Sequence, residues 1–204
     1  MKPTKQHIQD HALKLFNQKG FVNVRLQHIA DAAFVSVGHL AYHFKTKDDI
    51  IKNLYEELRI KQINLLNEFR VVPLFEDINR YLIATFQLQT KYIFFYVDTL
   101  EVLRAHPEIY DKHSFHIQWQ LTQLKIMLNF NCARGSLHTL SEQEQQQLAW
   151  QLRSFIDMWP YIKKIESNSK PSISNFLSDI WHILNPYFTD TGRNEFYQLS
   201  ITKE

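Results

Sequence analysis

The chain has 204 residues, 45% of them apolar and 22% charged, with a formal net charge of +2. That length and composition are those of a soluble globular protein of one or two domains with buried cores. The longest unbroken apolar run, Tyr92 to Val97, is too short to span a bilayer, and the N-terminal segment has no signal-peptide core, so no membrane partner is expected. Cys132 is the only cysteine, which excludes an internal disulfide and fits a cytoplasmic location.

Charge is unevenly distributed. Residues 1–60 carry nine Lys or Arg against six Asp or Glu, a mildly basic head that permits phosphate binding. Four glycines and long periodic stretches speak against a sheet. The fold class expected is all-α.

Ile8, Ala12, Leu15 and Phe16 share one helical face, and Gly20 supplies a stop. Leu26, Ile29, Ala30 and Ala33 make a second short face. Leu40 and Phe44 mark a third. Thr46 stands three residues before Asp49, a pattern close to a capping box. The long helix that it opens carries Ile50, Leu54, Leu58, Leu65 and Phe69 and stops near Pro73. Further helices are predicted near 74–89, 91–104, 107–133, 142–166 and 172–188. Pro107 and Ser141 suit helix starts. Pro160 and Pro186 should kink or end the helices they fall in.

Three short helices with a tight connection between the second and third form a helix-turn-helix unit. Residues 20–33 supply the supporting helix, Phe34-Val35-Ser36 the turn, and residues 36–44 the helix that would enter a major groove.

Residues 8–51 resemble the N-terminal domain of the TetR family. The resemblance rests on Leu15-Phe16…Lys19-Gly20-Phe21, Ile29-Ala30…Ala33, Val35-Ser36…Gly38-x-Leu40, Tyr42-His43-Phe44, and Lys47 followed by acids and Ile50. Beyond these residues the likeness is one of length, helical content and two long final helices. It implies a three-helix DNA-binding head at 1–46 and a ligand-sensing, dimerising helical bundle at 47–204. It also implies a homodimeric transcriptional regulator, a repressor, which binds a palindromic double-stranded DNA operator and is released by a small apolar or amphipathic effector. Arg25, Gln27, Ser36, Val37, Gly38, His39, Tyr42 and His43 would face DNA, Lys47 would meet a phosphate, and Leu40 and Phe44 would pack inward.

Three positions depart from the family pattern. Phe34 stands where Gly is usual in the turn, and positive φ there would cost on the order of 1–3 kcal/mol. Ala41 replaces an aromatic that often touches the DNA backbone. Val24-Arg25 replaces the usual Thr or Ser cap of the second helix.

Elsewhere the residues allow sharper and blander readings. The aromatics between Phe86 and Phe130 suit a core, or the lining of an effector cavity with Tyr92, Phe95, Trp119, Gln123 and Met127 in contact with the ligand. His7 with His11, and His113 with His116 and Asp111, have ligand-like spacing, but nothing completes a metal set. No cofactor is expected. No catalytic constellation appears, so the chain is not read as an enzyme. The alternative is an all-helical small-molecule-binding or enzymatic protein whose three-helix head is only structural. Two apolar stripes near the C-terminus suggest a dimer face: Leu148, Leu152, Phe155, Ile156 and Trp159, and Ile173, Phe176, Leu177, Ile180, Trp181, Leu184 and Phe188.

Overall fold

The computed structural model describes residues 5–69, 72–166 and 171–201. Among these residues the chain is all-helical and contains no named strand. In order come α1 (Lys5–Lys19), α2 (Leu26–Ala32), α3 (Val37–His43), α4 (Lys47–Phe69), α5 (Phe75–Lys91), α6 (Ile93–Val97), α7 (Thr99–Ala105), α8 (Pro107–Ala133), α9 (Glu142–Glu166), α10 (Ile173–Leu184) and α11 (Asp190–Ile201). A 3-10 turn, Asn185–Tyr187, follows α10.

The expected starts of three helices are realised. Thr46 and Asp49 cap α4 reciprocally: Thr46 N–H donates to Asp49 Oδ2 at 2.9 Å, and Asp49 N–H donates to Thr46 Oγ1 at 3.1 Å. Ser141 and Glu144 form the same device ahead of α9. Pro107 is the first residue of α8, where its missing N–H costs nothing. Pro160 lies within α9 and is buried.

Two expectations are corrected. The single helix expected at 91–104 is broken at Asp98, whose carboxylate accepts the Phe21 N–H at 3.2 Å while its backbone leaves the helical region (φ −103°, ψ 19°). The helix expected at 172–188 ends at Leu184, and Pro186 lies in the 3-10 turn. The last helix, α11, was not foreseen. Thr189 Oγ1 caps it by accepting the Gly192 N–H at 3.1 Å.

The chain forms two compact units. The first contains residues 1–61 and 91–113, so α6, α7 and the start of α8 join the three-helix head. Asn17 fastens α1 to this added segment with both ends of its amide. Its Nδ2 donates to the Lys91 carbonyl at 2.9 Å, and its Oδ1 accepts the Phe94 N–H at 3.1 Å. The core is built from Ile8, Phe16, Phe21, Ile29, Leu40, Phe44, Ile50, Leu54 and Phe95, all buried.

The second unit contains residues 62–90 and 114–204. Its core is dense in aromatics: Phe75, Trp159, Phe176, Trp181 and Phe188, with Phe86 and Phe196 packed against it. Polar tips find partners, as burial demands. Trp181 Nε1 donates to Asn79 Oδ1 and Trp159 Nε1 to Asp179 Oδ2, both at 2.9 Å. The two apolar stripes expected at a dimer face point largely into this core. Leu148, Leu152, Ile156, Trp159, Phe176, Leu177, Ile180, Trp181, Leu184 and Phe188 are buried within one chain.

Candidate nucleic-acid interface

The supporting helix α2 starts without the usual side-chain cap. Arg25 is extended (φ −105°, ψ 160°) and its side chain makes no cap bond. The Arg25 N–H instead donates to Nδ1 of His28 at 3.2 Å. A ring nitrogen thus takes the place of the Glu or Gln in a capping box, which is why the residue types did not disclose it. The Arg25 side chain is left exposed, and Gln27 is exposed with its amide on Asp31 Oδ1 at 2.7 Å.

The end of α2 sets the turn. Phe34 N–H donates to the Asp31 carbonyl at 3.2 Å and Val35 N–H to the Ala30 carbonyl at 3.0 Å. This pair of bonds is the Schellman closure, which needs a left-handed residue after the C-cap. Phe34 supplies it at φ +56°, the one non-glycine residue with positive φ among those described. The family's usual Gly would adopt this conformation freely, whereas a β-carbon there costs on the order of 1 kcal/mol or more. The expectation of a strained turn is met.

Helix α3 is then launched by Ser36, whose Oγ accepts the His39 N–H at 3.1 Å. Leu40 and Phe44 are buried, which turns the opposite face outward. Ser36, Val37 and Gly38 are exposed, Tyr42 is 84% exposed, and His39 and His43 are half-buried. The His43 ring stands edge-on to both His39 (5.3 Å) and Tyr42 (5.2 Å). Ala41 is half-buried and short.

Lys47 is more occupied than expected. Its Nζ donates to the Phe21 carbonyl at 2.9 Å and lies 5.1 Å from the centre of the Phe21 ring. Burial holds its pKa below the ordinary lysine value, with Asp48 acting the other way. An ammonium has three protons, so the bond to Phe21 leaves donor capacity for another oxygen.

The five residues expected at an effector are divided between the two units. Tyr92 and Phe95 belong to the first unit, and Trp119, Gln123 and Met127 to the second. Tyr92 is buried, with its hydroxyl 3.2 Å from Lys61 Nζ, and burial pushes its pKa up to about 12. Phe95 packs on Tyr55 and His113. Trp119 stacks on His116, 5.6 Å away, and His116 bonds Gln62 at 2.9 Å. Met127 lines a small apolar void of about 30 Å³ with Phe75, Ile78, Leu124, Leu152 and Leu184. A larger open groove of about 440 Å³ lies along Gln118, Thr122, Lys125, Glu142 and Gln146. Sequence reasoning missed that groove because its lining is polar. Among the described residues no group of three or more His, Cys, Asp or Glu could hold a metal, and no helix is long and apolar enough to cross a membrane.

Comparison with known proteins agrees with this geometry. A family profile described as bacterial regulatory proteins, tetR family, matches residues 8–54, and one described as bacterial transcriptional repressor, TetR, matches residues 52–196. The HTH-type transcriptional regulator AcrR of Shigella flexneri is 45% identical over 53 residues, 26% of this chain and 25% of that protein. The probable HTH-type transcriptional regulator YttP of Bacillus subtilis is 43% identical over 54 residues, 26% of each chain. The chain thus aligns with about a quarter of the length of these curated relatives. A TetR-family transcriptional regulator from Marinobacter aquaeolei superimposes with a TM-score of 0.88 at 24% identity, over 98% of this chain and 97% of that one. SmeT, the repressor of the Stenotrophomonas maltophilia multidrug efflux pump SmeDEF, gives a TM-score of 0.70 at 16% identity, over 93% and 92%. These structures share the fold, while the two profiles together reach from residue 8 to residue 196. The chain belongs to the TetR family of bacterial transcriptional regulators, DNA-binding proteins that are not enzymes.

Proposed function

We propose that this regulator is a cytoplasmic repressor that binds a palindromic operator as a homodimer through residues 1–46, with sensing and dimerisation in 47–204. The observation that carries the reading is the sidedness of α3. Leu40 within it and its C-cap Phe44 are buried, while Ser36, Val37, Gly38, His39, Tyr42 and His43 are exposed or half-buried and would meet base edges. Arg25 and Gln27 at the start of α2 would meet backbone phosphates, and so would Lys47 with the protons not used by Phe21. Selection from a random duplex library tests this reading directly. Enrichment of an inverted repeat supports it, and no enrichment overturns it. Lys47→Ala should then lower the salt dependence of binding by about one charge per half-site. An unchanged slope would remove Lys47 from the phosphate contacts.

The homodimer would use the outer face of α9 rather than the inward stripes. Trp150, Met158, Tyr161 and Ile165 are exposed at spacings of eight, three and four residues and share one face. An effector would enter beside Met127. The void there holds about one water, so an apolar ligand must open it, and it can release DNA only by binding one arrangement better than the other.

A further inference from the structure

Phe34 combines two features that are each costly for a large apolar residue. Its backbone is held at φ +56° by the closure of α2, where glycine is the unstrained choice. Its ring is 89% exposed, the most exposed of the large apolar side chains described. Strain of this kind is held in place by the surrounding bonds and clusters at sites of function. The location says which function. Phe34 lies two residues before Ser36, the N-cap of α3, and the exposed Val37 and Tyr42 follow on the same unit.

We propose that the Phe34 ring is a DNA contact that packs against the apolar surface of the duplex, at a thymine methyl or a deoxyribose. This inference rests on the DNA-binding reading above and adds a contact where the family's usual glycine can make none. Apolar side chains contact the thymine C5-methyl in the major groove, and no charge is required.

The test uses the full-length protein and the duplex recovered by selection from a random library. Phe34→Gly should raise the thermal midpoint, because the turn is relieved of strain, and weaken binding to that duplex roughly tenfold, the loss of one buried ring. Phe34→Tyr keeps the ring and should bind within about twofold of the parent. The same duplex made with uracil in place of thymine separates the two surfaces. Weakening of the parent but not of Phe34→Gly assigns a methyl contact; an unchanged parent, with Phe34→Gly still weak, assigns a sugar contact. If Phe34→Gly binds as tightly as the parent, or Phe34→Tyr is as weak as Phe34→Gly, the ring is not a contact and the proposal falls. If no duplex is enriched, the DNA-binding reading falls with it.

Discussion

The head and the second unit solve the same packing problem by different means. In the head, short helices are placed by polar devices at their ends: His28 at the start of α2, the Schellman closure at its end, Ser36 before α3, and the Thr46–Asp49 box before α4. In the second unit, aromatic rings from distant parts of the sequence meet in one core, with Phe75 and Phe196 each in ring contact with Trp181 and Phe188. End-capping fixes where each surface residue points, as a DNA-reading face requires. Ring packing sets volume, and a core of this kind tolerates substitutions that keep volume and patterning.

If that contrast is right, the largest effect comes from a large deletion in the second unit. Phe176 is fully buried, 5.2 Å from Trp159 and 5.4 Å from Phe86 by ring centres. Phe176→Ala should cost about 3–5 kcal/mol in denaturant unfolding. A loss below 1 kcal/mol would mean that the core collapses around the gap and is looser than the ring contacts indicate.

A smaller but sharper effect is expected at Gly192. A β-carbon there would lie 2.1 Å from the Ser136 carbonyl oxygen and 3.5 Å from the Phe188 Cβ. The backbone oxygen cannot rotate away, because it also accepts the Thr189 N–H at 3.2 Å. Gly192→Ala should therefore destabilise by about 1–3 kcal/mol despite the better helix propensity of alanine. A variant as stable as the parent would show that α11 can shift outward freely.

The same contrast decides what could be read in advance. The head was legible because its signals are local: Thr46 and Asp49 are three residues apart, and Gly20 closes α1 at φ +72°. Phe34 could be flagged because it stands where the family it resembles usually has Gly, which made strain the expectation if the turn kept positive φ. The partners of Lys47 and Asn17 were not legible. Lys47 meets the carbonyl of Phe21, 26 positions away, and Asn17 meets Lys91 and Phe94, at separations of 74 and 77. Apolar periodicity revealed that the last helices have a wide buried face, but not whether a second chain or the same chain covers it. Ten of the stripe residues, Leu148, Leu152, Ile156, Trp159, Phe176, Leu177, Ile180, Trp181, Leu184 and Phe188, are part of the unit's own core. An aromatic reads the same in a lining as in a packed interior, so neighbours such as Lys61 at Tyr92 and His116 at Trp119 were not legible either. Helix α11 was missed because its apolar anchors are sparse: Phe196 and Leu199 pack on the core, and Tyr197 is 67% exposed.

The smallest effect belongs to the head and bears most directly on its design. Thr46→Ala removes the hydroxyl that accepts the Asp49 N–H and leaves the return bond from Thr46 N–H to Asp49 intact. The loss should be about 1 kcal/mol, the usual value of an N-cap side chain. Its consequence should exceed its size for function, because the cap sits between α3 and α4 and fixes the chain entering Lys47. The Lys47 Nζ reaches Phe21, so a frayed first turn would also loosen the link from α4 to the segment between α1 and α2. Amide hydrogen exchange across residues 46–50 should quicken in Thr46→Ala while protection in α9 stays at the parental level. Equal quickening in both places would show that the two units open together and that the head's stability does not depend on its own caps.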